Sequence, residues 1–301
     1  MIEKSFLKDL IDHPNLISDL RFEEISKILE SVKKIFENEY LLLEFNQKDS
    51  DEDIFVIGDI HGNLETLLEI FELIGLHHTD LVIFLGDIVD RGPKQLECLL
   101  FIFILKILNP HKYYILRGNH ESLEINKMYG FYEEFINKFK DPHKFEKIEK
   151  VYNLIPICAL VNDTILCLHG GIPQNVEFLM NIRGVKTKDF SPLLEDSSQD
   201  LTQIIWNDPK EGLQGFTDSF RGPGIKFFGE DVFDIFMSRY NLKFLIRAHE
   251  CFSEGFRWFF HHHLLSIFSS ANYQGGFLPN PASYAVISKN EIIPKIVNLK
   301  E

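Results

Sequence analysis

Five short motifs hold the residues best able to do chemistry: Gly58-Asp59-Ile60-His61-Gly62, Gly86-Asp87-Ile88-Val89-Asp90-Arg91-Gly92, Arg117-Gly118-Asn119-His120-Glu121, His169-Gly170-Gly171 and Arg247-Ala248-His249. Asp59 and His61 stand two apart, so on an extended segment or a tight turn both reach one side and can share a metal ion. A carboxylate such as Asp87 has two oxygens and can bridge a pair of cations about 3.5–4 Å apart. Two ions need further nitrogen or oxygen donors, and Asn119, His169 and His249 provide them. A donor set without thiolate suits manganese, iron or zinc rather than a cysteine-rich structural zinc. One such motif alone reads as a turn or a satisfied core histidine. Five in order, each behind an apolar run, resist that reading, because unpaired polar groups at buried strand ends cost several kcal/mol each. Gly92, Gly118, Gly170 and Gly171 are read as positive-φ positions that let the backbone approach ions and phosphate closely.

The elements that must position these groups are legible as periodicity. Residues 54–57, 81–85 and 113–116 are short apolar runs, each a buried strand delivering residues from its C-terminal end. Helical stretches over 64–73 and 95–108 alternate with them, giving β-α-β-α-β with the functional groups gathered at the carboxyl edge of a sheet. The second half is richer in strands, at 160–162, 165–169, 242–248, 264–268 and 283–287, with a helix over 230–240. The pattern predicts an α/β fold of two mixed β-sheets packed as a sandwich and flanked by helices. Residues 1–45 are read as an N-terminal helical segment packed on the body, since Ile25, Ile28, Leu29, Val32, Ile35 and Phe36 recur at spacings of three and four. Residues 46–301 then form the catalytic domain.

Bulk properties narrow the function classes. The chain has 301 residues, 45% of them hydrophobic, enough for a sizeable core. A formal charge of −14 argues against nucleic acid as a partner and suits basic peptides better. Cys98, Cys158, Cys167 and Cys251 lie far apart without a Cys-x-x-Cys pair and are read as reduced core residues. The N-terminus has no apolar signal core, and the richest apolar run, 99–108, contains Lys106 and is too short to span a bilayer. An intracellular, cytoplasmic protein with no membrane partner is expected, with nuclear residence equally open. His261-His262-His263 would alternate faces on a strand and cannot jointly chelate one ion, so a hairpin turn is the reading there. Trp206-Asn207-Asp208-Pro209 is read as packing and turn.

From about residue 41 to 287 the chain resembles the metal-dependent serine/threonine phosphoprotein phosphatases of the PPP class, relatives of protein phosphatase types 1, 2A and 5 and of calcineurin. The five motifs carry the resemblance. It implies that Asp59, His61 and Asp87 hold one metal ion, and that Asp87, Asn119, His169 and His249 hold the other, with a hydroxide between them. It further implies that Arg91, Asn119 and Arg221, in Phe220-Arg221-Gly222, bind phosphate oxygens, and that His120, oriented by Asp90, is the general acid. Tyr273, in Ser270-Ala271-Asn272-Tyr273, should lie on a loop overhanging the site, and Asp208 near the substrate groove. The implied activity is hydrolysis of phosphoserine and phosphothreonine monoesters on proteins without a phosphoenzyme, using manganese, or iron and zinc, with regulatory or targeting subunits as partners. Asn63, Ala271 and Gln274 depart from the family's usual glutamine, proline and cysteine, and residues 184–198 from its Arg-Pro-rich stretch. The chain stops at Glu301 without the family's regulatory tail, leaving little room for built-in regulation. A phosphodiesterase, nuclease or dinucleoside polyphosphate hydrolase on the same centre would lack Arg221 and Asn272-Tyr273, and an inactive scaffold would have lost a ligand or the acid.

Overall fold

The computed structural model describes residues 2–47, 52–77, 79, 81–189, 194–273, 279–289 and 291–299. Gln274 and residues 190–193 of the divergent 184–198 stretch lie outside the described residues. Two helices, α1 (Lys4–Asp12) and α2 (Phe22–Phe36), open the chain. β1 (Leu42–Phe45) follows, then an alternating run of β2 (Ile54–Ile57), α3 (Leu64–Leu76), β3 (Leu81–Phe84), α4 (Gln95–Leu108) and β4 (Tyr113–Ile115). Three further helices, α5 (Leu123–Tyr129), α6 (Phe131–Phe139) and α7 (Glu146–Tyr152), lead to β5 (Cys158–Val161) and β6 (Ile165–Leu168). After α8 (Phe178–Ile182) and α9 (Leu194–Trp206) come three very short strands, β7 (Asp208–Pro209), β8 (Phe216–Asp218) and β9 (Lys226–Phe228). The chain ends through α10 (Glu230–Arg239), β10 (Phe244–Arg247), β11 (Phe256–Phe259), β12 (Leu264–Ile267), β13 (Ser283–Ser288) and β14 (Glu291–Ile296).

Among the described residues these strands form a five-stranded sheet, β14-β13-β2-β3-β4, a six-stranded sheet, β1-β5-β6-β10-β12-β11, and the small sheet β7-β9-β8. The apolar runs are continuous because both faces of the large sheets are covered. On β2, Ile54 and Val56 point into the space between the sheets, while Phe55 and Ile57 meet the helices. β6 does the same, with Ile165 and Cys167 facing inward and Leu166 and Leu168 turned toward the outer layer. The expected sandwich of two mixed sheets is therefore present, each sheet with one face in a shared core. α4 is apolar all round because α1, α2, α3 and α6 pack against it. Even Lys106 is fully buried there, its Nζ bonded to Glu39 and, at 2.8 Å, to Pro110 O. No described helix is long and apolar enough to cross a membrane.

Two features differ from the sequence reading. Helical structure in the N-terminal segment ends at Phe36, and Leu42–Phe45 is a strand, paired parallel with β5 from Leu42↔Cys158 to Phe45↔Val161. Four residues are too few to separate a strand from a continuing helix by periodicity. The β7-β9-β8 sheet had no signal either, because strands of two and three residues cannot show alternation. His261–His263 do lie in the hairpin between β11 and β12, where Phe259 pairs with Leu264 and Phe260, His261 and His262 have φ of 50°, 51° and 68°.

Candidate active site

β2, β3 and β4 run parallel, as do β6, β10 and β12, so the loops after these strands leave the two sheets in company. They meet: His249 N donates to Asp59 Oδ1 at 2.9 Å, and His169 Nε2 lies 2.9 Å from Asn119 Oδ1. Asp59, His61, Asp87, Asn119, His169 and His249 are all buried. Asp87 is their centre. Its Oδ1 accepts His120 N at 2.8 Å, and its Oδ2 faces His169 Nε2 at 3.3 Å, His61 Nε2 at 3.8 Å and His120 Nε2 at 3.9 Å. Two compact donor groups result, His61-Asp87-His120 and Asp87-His169-His249, and Asp87 belongs to both. The first takes in His120, while Asp59 Oδ2 lies 3.5 Å from His61 Nε2.

Backbone carbonyls fix which ring nitrogens face inward. His61 Nδ1 donates to Val89 O at 2.9 Å and His169 Nδ1 to Leu85 O at 3.0 Å, which turns each Nε2 toward the carboxylates as the nitrogen that exchanges a proton for a cation. A carbonyl can only accept, so these tautomers follow from the bonds themselves.

The loops are tight in an unexpected way. Gly92, Gly118, Gly170 and Gly171 are absent from the positive-φ positions, contrary to the expectation. They are needed for close approach: a Cβ at Gly92 would lie 2.0 Å from His61 O, and one at Gly118 2.2 Å from Asp87 Oδ1. The left-handed backbone falls instead on the functional residues His61, Asp87, Asp90, Arg91 and His249, with φ of 47°, 52°, 69°, 73° and 72°. Such strain persists only where surrounding structure over-determines it, and it gathers at working sites.

A cleft of about 560 Å³ opens above this cluster, lined by His61, Asp87, Arg91, Asn119, His120, Arg221, His249 and Tyr273, with Asp59, Asp90 and His169 buried behind them. His120 Nδ1 donates to Asp90 Oδ2 at 2.7 Å, leaving Nε2 for the cleft. Asp90 is further held by Asn126 Nδ2 at 2.8 Å and by Phe131 N, the first N–H of α6, at 3.0 Å. Arg91 lies 3.8 Å from the Tyr129 ring centre, and Tyr273 stacks on His61 at 4.8 Å. All eleven residues singled out from the sequence are thus brought together.

Residues matching the calcineurin-like phosphoesterase family span 53–252. The chain belongs to that family. A protein serine/threonine phosphatase from Saccharomyces cerevisiae, described as similar to human phosphatase PP5, superposes with a TM-score of 0.86 at 26% identity, over 100% of this chain and 97% of its own. A cold-active protein-tyrosine phosphatase from a psychrophilic Shewanella species shares the fold at 0.60 and 15% identity, over 88% of this chain and 84% of its own.

The donor set fits the divalent metal ions of a phosphatase of this family. Asp59 Oδ2 and His249 Nε2 are buried without a hydrogen-bond partner among the described residues, and an unpartnered carboxylate oxygen is costly unless a cation faces it. The ionisation behaviour agrees. Burial opposes the His61 imidazolium, yet Asp59 and Asp87 outweigh it and push the pKa up to about 9. His169 is likewise raised, burial being overcome by Asp87. Asp87 itself resists the upward push of burial and is held well below the usual carboxylate range by His169 and His120. In the protein alone, protons occupy the field that divalent cations would satisfy.

Several supporting residues had only faint sequence signals. Glu121, fully buried, accepts Asp87 N at 2.8 Å, Ile88 N at 3.0 Å and Gly118 N at 2.8 Å, and so pins two ligand loops. Its signal was its place beside Asn119-His120. Asp208, read as part of a turn, receives Arg221 Nε at 2.5 Å and Arg247 Nη2 at 2.9 Å. Arg247, also fully buried, further donates to Gly170 O and Glu250 Oε2, both at 2.5 Å. Asn63 donates to Ala271 O at 3.0 Å and accepts Thr66 N at 3.1 Å, so two of the departures from the family pattern touch two residues ahead of Tyr273. Cys98, Cys158 and Cys167 are buried as expected, but Cys251 is half-buried and lines the cleft.

Proposed function

We propose that this chain hydrolyses phosphoserine and phosphothreonine monoesters on other proteins at this cleft. The observation that carries the reading is one constellation: the His120–Asp90 pair and two half-buried arginines on the same cleft as a buried cluster of six convergent nitrogen and oxygen donors. The S. cerevisiae serine/threonine phosphatase supports the choice of substrate. Asp59, His61 and Asp87 would hold one cation and Asp87, Asn119, His169 and His249 the other, and nitrogen and oxygen donors favour manganese, iron or zinc. Such a pair supplies Lewis acidity toward phosphoryl oxygens and lowers the pKa of water toward neutrality.

The remaining work falls to side chains. Arg91, Arg221 and Asn119 bind the phosphoryl oxygens, and guanidinium forks held in advance stabilise the charge that spreads over those oxygens in the transition state. Asp208 fixes Arg221 through Nε at 2.5 Å and Nη2 at 3.4 Å, leaving Nη1 to the ligand. His120 Nε2 gives its proton to the departing serine or threonine oxygen, and Asp90 at Nδ1 stabilises the imidazolium before transfer. Tyr273 packs beside His61 over the cluster. No serine or cysteine nucleophile is required.

The test is initial-rate hydrolysis of a phosphothreonine peptide, a phosphotyrosine peptide and bis-p-nitrophenyl phosphate by metal-stripped protein resupplied with manganese, beside Asp87→Asn and His120→Asn. Strong phosphothreonine turnover, lost in both variants, is the expected result. A preference for the diester would replace this reading with a phosphodiesterase, and wild-type rates no better than Asp87→Asn would replace it with an inactive scaffold.

A further inference from the structure

Phe220 is 86% exposed, yet it directly precedes Arg221 and borders the cleft. The backbone that carries it is pinned on several sides. Ser219 N donates to Ile225 O at 3.0 Å, Arg221 N to Ser219 Oγ at 3.2 Å, and Gln203 Nε2 to Gly224 O at 3.0 Å, while the Arg221 guanidinium is tied to Asp208. The ring leans on Phe227, with centroids 5.5 Å apart and planes at 56°. Phe227 is covered in turn by Lys210 Nζ at 5.0 Å. A large apolar ring is therefore held at the lip of the site with most of its surface in water. Folding gains little from that arrangement, since burial is what stabilises an aromatic side chain. Binding gains more, because an aromatic ring already held in place loses little entropy on contact. Trp206, on the same cleft, stands edge-on to His249 at 5.5 Å and supplies a second aromatic surface.

We propose that Phe220 is a specificity-determining residue: with Trp206 it receives an apolar side chain flanking the phosphoresidue, on the side of the cleft where Arg221 holds the phosphate. The inference rests on the phosphoprotein reading above. It makes the lip selective for sequence while the floor remains indifferent to it.

The test uses a hydrophilic phosphothreonine peptide in which one leucine is moved a position at a time on either side of the phosphothreonine, each compared with its serine counterpart. Both kcat/KM and, with non-hydrolysable phosphonate versions, calorimetric Kd are read. At one position the wild-type protein should favour leucine by about tenfold, the size expected for covering part of one ring and one leucine. Phe220→Ala should bring that ratio to near one, Phe220→Leu should keep part of it, and Phe220→Glu should favour lysine there instead. The side chain is exposed, so these variants are expected to fold, and the ratio is independent of the amount of active protein. A ratio that survives Phe220→Ala, or its absence from the wild type at every position, overturns the inference while leaving the phosphatase reading intact. Absence of turnover on every phosphothreonine peptide overturns both.

Discussion

At the floor of the cleft, Asp59, Asp87 and His120 are held by bonds from backbone N–H groups that cross from loop to loop at the edges of two full sheets. At the lip, Phe220 and Arg221 lie in the loop between the three-residue strands β8 and β9, and one buried carboxylate, Asp208 on β7, joins that loop to the body through Arg221 and Arg247. The floor thus inherits its geometry from the whole core. The lip depends on a few side-chain ties, the Asp208 junction and the bond from Gln203 to Gly224 O among them. On the proposed function, the metal donors and the acid sit where any displacement is resisted, and Phe220 sits where sequence can vary at small cost to the fold.

That contrast can be broken most severely at Asp87. Asp87→Asn removes the group common to both donor clusters, so manganese content and turnover should fall by well over the ~100-fold typical of losing an outer partner, with the circular dichroism spectrum retained. His120→Asn comes next, lowering kcat for phosphothreonine by about 10²–10⁴-fold. The same variant should lose far less on p-nitrophenyl phosphate, whose leaving group needs no proton, and equal losses on the two substrates would remove His120 from its role as acid. Asp208→Asn addresses the junction. It should cost about 3 kcal/mol in chemical denaturation, since Arg247 stays buried with one partner fewer, together with about tenfold in kcat/KM, whereas a neutral effect on both would show that the lip is held by other means.

Without metal, the floor should also respond to pH. The His61 imidazolium is raised from 6.5 to about 9, so its contribution to stability is full below 6.5 and lost as pH rises through about 9. Chelated protein should therefore lose up to about 1.4 kcal/mol per pH unit across that window, and manganese affinity should rise over the same range as the metal displaces the proton. Thermal melts of wild type and His61→Asn check this. An equal pH slope in the two would contradict it.

The floor was legible in the sequence because its residues stand at the ends of strands buried on both faces, where unbroken runs such as Ile54–Ile57 announce the strand and the polar residues after it stand out. The roles of the neighbouring glycines were not legible in the same way. Gly92 and Gly118 serve close approach, and the positive φ expected of them sits on Asp87 and Arg91, a distinction that depends on what packs across the loop. The lip was hidden for a different reason. β7, β8 and β9 are too short to show a period, and the importance of Asp208 arises from two arginines, 13 and 39 residues further along the chain. Glu121 likewise declares itself only when three backbone N–H groups converge on it.

The strand order also bears on how the chain can be cut. β1, near the start, lies at the edge of the sheet formed mainly by the second half, and β13 and β14, near the end, complete the sheet formed mainly by the first. Neither half owns its own sheet, so a protease nick between β4 and β5 would yield two fragments that each lack strands carried by the other. A ribosome-bound chain released one strand at a time would hold β2, β3 and β4 without their partner β13 until Ser283–Ser288 emerges. Such a topology makes assembly late and collective, and catalytic turnover becomes a direct readout of how much of the population has finished folding.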